Sequence, residues 1–154
     1  MNSGLVRSIA DLSNRWRSRF SRSKQSFRSE HLRRGSLGEK LAVRFLRKKG
    51  YKILYRNFRG HSGGEIDIVA RDDDTLVFVE VKTRTREDFG RPIEAVGRQK
   101  QKRISRGALA WLRLLDNPDI LFRFDVIEII IAEDAKPRLE LIRNAFQLSA
   151  PYIY

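Results

Sequence analysis

The chain has 154 residues, enough for one domain with a single core and too few for two. Its 32 Lys and Arg against 19 Asp and Glu give a formal net charge of +13, so the expected partner is a polyanion, with nucleic acid leading and an acidic membrane surface as the competing reading. The absence of cysteine excludes disulfides, thiolate metal sites and a cysteine nucleophile, and no run approaches the roughly 18 apolar residues of a spanning helix. The N-terminus has no apolar secretory core, so the expectation is a cytoplasmic protein without stable membrane insertion.

Residues 1–34 carry nine Lys or Arg against Asp11 and Glu30, which places +7 of the net charge there. So polar a segment buries too little apolar surface to fold alone. It reads as a basic flexible arm that orders on a phosphate backbone, with a solubilising tail or a transit-like segment as alternatives. The folded domain is expected over 35–148.

A first helix is predicted from Ser36, with Ser36 and Glu39 spaced as a capping box, Leu37, Leu41, Phe45 and Leu46 as its apolar stripe, and Gly50 closing it. Strands follow at 51–58, 65–71 and 76–82. A Gly-rich run, Gly60-His61-Ser62-Gly63-Gly64, separates the first two, and an acidic turn, Asp72-Asp73-Asp74, joins the second to the third. A long helix is expected over about 92–115, with Ile104, Ala108, Trp111, Leu112 and Leu115 at helical spacing, ended by Asn117-Pro118. Phe122–Ile130 reads as a central strand, nearly continuously apolar in its second half, and 139–146 as a more polar last one. Helices interspersed among strands predict a mixed α/β sheet packed by helices.

The hairpin over 65–82 carries the chemistry. If its turn is the two-residue loop Asp73-Asp74, residues whose numbers sum to 147 face each other. Ile66, Ile68 and Ala70 then oppose Val81, Val79 and Val77 on an apolar face. Asp67 opposes Glu80 and Glu65 opposes Lys82 on the other. Directly opposed side chains have Cβ atoms roughly 4.5–5.5 Å apart, where like charges destabilise a sheet unless a cation compensates. Two hard carboxylates suit Mg²⁺, which would polarise a phosphodiester and acidify a water while Lys82 orients the nucleophile or offsets charge in the transition state. The bland reading of the same residues is a surface salt-bridge cluster.

Gly38-Glu39, Gly50-Tyr51, Asn57, the run 64–70 (GEIDIVA) and the run 78–84 (FVEVKTR) resemble the YraN-type family of uncharacterised bacterial proteins over about residues 35–146. That family is in turn similar to Holliday-junction resolvases and other PD-(D/E)xK nucleases. The resemblance implies a restriction-endonuclease-like mixed β-sheet flanked by helices, cleavage of DNA with Mg²⁺ or Mn²⁺, and a homodimer. It matches Asp67 to the first acidic position, Glu80 and Lys82 to the Glu-x-Lys pair, and Glu39 to an acidic residue on the first helix. Ile66 stands where many relatives have proline.

Glu39 thus has two readings, cap and ligand. His61 is an exposed loop histidine, expected to be without a role, and Asp125 is expected to make a structural hydrogen bond or salt bridge. Arg84, Arg98, Lys100 and Arg103, within a basic set that also holds Arg86, Arg91, Lys102 and Arg106, are the candidate phosphate contacts, Lys100 first among them. The leading expectation is a metal-dependent nuclease acting on DNA. The alternative is a non-catalytic nucleic-acid-binding protein that keeps the fold.

Overall fold

A computed structural model describes residues 30–61, 63–85, 96–132 and 135–148, of which 30–34 by backbone alone. The elements run α1 (Glu30–Lys48), β1 (Lys52–Gly60), β2 (Gly64–Asp72), β3 (Thr75–Arg84), α2 (Arg98–Leu114), β4 (Phe122–Ile130) and β5 (Arg138–Phe146). The expected order of helix, three strands, helix and two strands is the one observed. Residues 1–29, and so most of the expected basic arm, lie outside the described residues, as do Arg86 and Arg91.

The five strands form one sheet in the order β1-β2-β3-β4-β5, antiparallel except for the parallel pair β3–β4 that α2 connects. Each face carries one helix and one cluster of apolar side chains. On one face Ala42, Val43 and Leu46 of α1 pack on Ile68, Ala70, Val77, Val79, Ile127 and Ile129. On the other, Ile104, Ala108, Trp111 and Leu112 of α2 pack on Phe58, Val69, Leu76, Phe78, Phe124 and Val126. β4 is buried along most of its length because it lies between β3 and β5 under both helices. The fold is the α/β arrangement of a restriction-endonuclease-like domain.

Both helices differ at their starts from the sequence reading. α1 spans Glu30–Lys48, so Ser36 and Glu39 lie inside it and form no capping box. Its core line is Ala42, Val43 and Leu46, with Leu41 and Phe45 at the margin and Leu37 exposed, so the apolar stripe is rotated from the expected one. α2 begins at Arg98 rather than near residue 92, because Gly97 is extended at φ −60 and ψ 157 and Val96 turns into the core. The C-termini close as expected. Gly50, at φ 91, lets Tyr51 N–H donate to Leu46 and Gly50 N–H to Arg47, satisfying two of the last carbonyls of α1.

Glycines set two close crossings. Gly64 at the start of β2 lies against the backbone of Gly107 in α2, and a Cβ on Gly107 would itself sit 2.9 Å from Ile66 Cγ1. Gly38 of α1 lies against the Thr83 side chain, which brings the helix down over the end of β3. Gly64→Ala is expected to lower the unfolding free energy by about 2–3 kcal/mol, read from the denaturant midpoint, since backbone on both sides cannot yield cheaply. Gly35→Ala, in open space within α1, is expected to stabilise by about 0.5–1 kcal/mol in the same titration.

Candidate active site

The β2–β3 turn is the expected two-residue loop. Asp72 pairs with Thr75, Asp73 takes a positive φ of 50, and the register continues through Ala70–Val77 and Val69–Phe78 to Ile68–Val79. There the ladder stops. The next expected pair, Asp67 with Glu80, does not form, because the two strands part at that level. Gly64–Ile66 stay with β1, while Glu80–Arg84 stay with β4.

Parting leaves backbone groups of β3 without their β2 partners, and a buried N–H needs an acceptor. Asp67 supplies it. Its Oδ2 accepts from Val81 N–H at 2.8 Å, replacing a backbone carbonyl with a carboxylate oxygen. β2 also changes phase here, because Ile66 joins the α2-side cluster while Ile68 lies on the α1 side. The expected apolar face therefore holds for Ile68, Ala70, Val77, Val79 and Val81 and fails for Ile66. On β1 the matching level is Asn57, which takes a positive φ of 54 between the paired residues Arg56–Ile68 and Phe58–Ile66.

Strand alternation puts Glu80 on the face of Leu76 and Phe78, the face that α2 covers. Only 7 % of Glu80 is exposed. Its Oε1 pairs with Lys100 Nζ at 3.2 Å, while its Oε2 is buried with no hydrogen-bond partner. Lys100 also donates to Glu65 Oε1 at 2.7 Å, and Arg103 holds the other Glu65 oxygen at 2.9 Å. The cation that meets the carboxylate pair from within the chain is thus Lys100 of α2. Lys82 is half-buried on β3 and makes no ion pair or hydrogen bond with the described residues.

The charges follow from these contacts. Burial pushes the Glu80 carboxyl up to about 8, the neighbouring Asp67 adds to the rise, and Lys100 opposes it only in part. Burial works against the charge of Lys100, but Glu80, Glu65 and Asp67 together hold its pKa above the usual lysine value. The hydrogen bond from Lys100 holds Glu65 below its ordinary value.

The remaining expected residues are placed as follows. Glu39 accepts from Asn57 Nδ2 at 2.9 Å and lies 3.7 Å from Arg56, so it is fixed on β1 at the level of the fork without touching Asp67 or Glu80. Arg84 is tied to Glu128 at 2.7 Å, and Lys100 and Arg103 are tied to Glu65. Arg98 is exposed at the first turn of α2. Asp125 is fully buried among Arg123, Tyr51 and the Asn144 backbone N–H, the structural role expected of it. The role of Lys100 was missed from sequence. Its signal was topological, since a helix joining parallel strands starts near the C-terminal end of the first strand, where Glu80 and Lys82 stand.

Asp67 and Glu80, with one buried unpartnered oxygen, fit a hard divalent cation that keeps waters and completes its shell with phosphate oxygens. Among the described residues no group of three or more His, Cys, Asp and Glu converges, so such an ion would rest on substrate as well as protein.

A carboxyl that keeps its proton to about pH 8 when folded and releases it near 4.5 when unfolded contributes stability that is complete below 4.5 and lost as pH rises through about 8. The melting midpoint in metal-free buffer is therefore expected to fall across that window. Glu80→Gln should flatten the fall and, at the alkaline end, raise stability by on the order of 1 kcal/mol or more. Added Mg²⁺ should restore the wild-type midpoint there and leave the Gln variant unmoved.

Comparison with known sequences agrees with the motif reading. The profile described as "Uncharacterised protein family UPF0102" matches residues 38–129, a span that holds Glu39, Asp67, Glu80, Lys82 and all of α2. A UPF0102 protein of Geobacter metallireducens is 54 % identical over 115 residues, covering 75 % of this chain and 93 % of the relative. One from Geobacter sulfurreducens is 52 % identical over 115 residues, covering 75 % and 89 %, and one from Chlorobium phaeobacteroides is 50 % identical over 117, covering 73 % and 92 %. No helix among the described residues is long and apolar enough to cross a membrane. The chain belongs to the uncharacterised protein family UPF0102, the YraN-type family that its motifs resemble.

Proposed function

We propose that the protein is a metal-dependent nuclease that hydrolyses phosphodiester bonds in DNA, branched or single-strand-containing DNA above all. One observation carries the reading: beside Asp67, where two strands part to open the sheet, the buried Glu80 carboxyl has an oxygen that no donor group among the described residues reaches. A structural salt-bridge cluster has no use for such an oxygen, because a buried unsatisfied acceptor costs about 1–3 kcal/mol. The net charge of +13 supports a polyanionic substrate.

In this reading Asp67 and Glu80 hold Mg²⁺ or Mn²⁺, which when bound supplies Lewis-acid polarisation of the phosphate and a water of lowered pKa. Lys82, without an ion pair among the described residues, orients the attacking water and offsets charge on the phosphate. Asp67 is oriented for its task by the Val81 N–H, and Lys100 limits the repulsion between the carboxylates before the ion arrives. Glu39 sits beside the fork through Asn57 and is the remaining acidic candidate. Arg98, with exposed Lys102 and Arg106, supplies phosphate contacts along α2.

One contact favours a second reading, a nucleic-acid-binding protein without cleavage: the Lys100 ammonium already supplies positive charge to Glu80 and Glu65. The two separate in an assay of labelled linear, single-stranded and four-way-junction DNA, and of RNA, with Mg²⁺ or Mn²⁺. Wild type is expected to cleave DNA, and Asp67→Asn or Lys82→Ala to reduce the rate at least about a hundredfold. Asn at 67 keeps an oxygen for the Val81 N–H, so that variant should fold. Binding without cleavage, unchanged in both variants, would overturn the catalytic reading.

A further inference from the structure

A cavity of about 240 Å³ opens where the end of β1 meets the second half of α2. At roughly 30 Å³ per water it would hold about eight waters, room enough for one planar ring system. Phe58, Gly60 and Ala110 make its apolar floor, Leu114 its wall, and Arg59, His61 and Arg113 its basic rim. A Cβ on Gly60 would come 2.8 Å from the Ala110 methyl group, so the floor stays flat and shallow only with glycine there. Leu114 keeps 42 % of its surface exposed and so offers an aliphatic face to a planar group entering the cavity.

A chain of charged contacts links Arg59 of the cavity to the candidate active site. Arg59 faces Glu65 across β1–β2 and adds to its acidity, Glu65 holds Lys100, and Lys100 holds Glu80. Along α2, Lys100 and Arg113 are thirteen residues apart, about 20 Å at 1.5 Å per residue. Exposed Arg103, Arg106 and Arg113 line the path at intervals that keep them on one side of the helix. Apolar floor, stacking-capable imidazole and guanidinium groups, and a cationic track leading to a phosphodiester-type site together match one chemistry, a nucleotide of an unpaired strand.

We infer that this cavity is a nucleotide-binding site that takes one unstacked base of single-stranded nucleic acid, its flanking phosphates on Arg59 and Arg113, and so directs an unpaired strand toward Asp67 and Glu80. The inference rests on the nucleic-acid reading of the active site and adds the strand form that the site prefers. His61, expected from sequence to be without a role, becomes a stacking residue here.

The test is equilibrium binding in EDTA, where no cleavage intervenes, of a labelled oligothymidylate strand and of a blunt duplex of equal length. Wild type is compared with His61→Ala/Leu114→Ser, both exposed positions that a thermal melt should show to be tolerated. The double variant is expected to bind the single strand about tenfold more weakly, the loss of one stacking platform, with duplex affinity unchanged. Equal loss on both probes, or no loss on either, overturns the inference and leaves the active-site reading intact. Tighter binding by the variant, as when the chain's own N-terminal segment occupies the cavity, also overturns it. A wild type that binds neither probe overturns both readings together.

Discussion

The parting of β2 from β3 at Asp67 is the constraint on which the rest of the site depends. An antiparallel hairpin of this length would ordinarily pair to its ends, and the turn chemistry and alternation here are those of such a hairpin. Two different neighbours pull its open ends apart: β1 retains Gly64–Ile66, and β4 retains Glu80–Arg84 in a parallel ladder. The close seat of Gly64 on Gly107 holds β2 down on α2 while β3 continues in the plane of β4. A fork in a sheet exposes unpaired backbone groups, and the Asp67 carboxylate answers one of them through Val81 N–H. The aspartate is thereby structural and chemical at once, since the bond that stabilises the fork also aims the carboxylate.

From the fork follows the electrostatics. If Asp67 and Glu80 were opposed on an exposed ladder, water would screen much of their repulsion. Glu80 instead lies under α2 with little exposure, so its charge is opposed by burial and by Asp67 and is met by only one ammonium. Lys100 is shared with Glu65, which takes the shorter contact, so its neutralisation of Glu80 is incomplete. An arrangement that leaves a buried carboxylate oxygen open is poor as pure scaffolding and suited to a ligand that brings further positive charge. Contrast the second charged cluster, at the turn end of the sheet. There Arg123 meets Asp72, Asp125 and the Tyr51 hydroxyl, and Asp125 also accepts from Asn144 N–H, so every carboxylate there has a close donor. One cluster is satisfied internally and the other is not.

Much of this was legible in the sequence for identifiable reasons. The loop Asp73-Asp74 and strict alternation on both sides determine the register from Asp72–Thr75 to Ile68–Val79, and the nearly continuous apolar second half of β4 announces its central place. The fork was not legible, because it is set by competition between partners distant in sequence, Phe58 for Ile66 and Val126 for Glu80, and alternation continues on paper where the ladder has ended. For the same reason Ile66 was assigned to the wrong face. Ser36 and Glu39 have cap spacing, but a cap also requires the helix to begin there, and α1 is already helical at Glu30. Phosphate-binding roles for Arg84 and Lys100 were read from their place just after the active strand, where only neighbours in sequence are visible and not the Glu128, Glu65 and Glu80 that face them.

The placing of α2 binds these features into one functional surface. A parallel crossover must return the chain to the start of β4, so α2 runs antiparallel to β3 and delivers its first turns to the strand end that carries Glu80 and Lys82. That geometry puts Lys100 on the carboxylates. The same helix, anchored by Trp111 against Tyr55 and Phe58 at ring distances of 5.6 and 5.2 Å, carries its later turns to the edge strand β1. One rigid element therefore has its cationic start at the fork and its aliphatic and arginine-bearing end at the β1 edge, with exposed arginines between. A polymer with a charged backbone and apolar faces can engage both ends at once, whereas a small acidic ligand would need only the first. The spread of charge along α2, more than its amount, is what supports an extended strand as the ligand of the proposed nuclease.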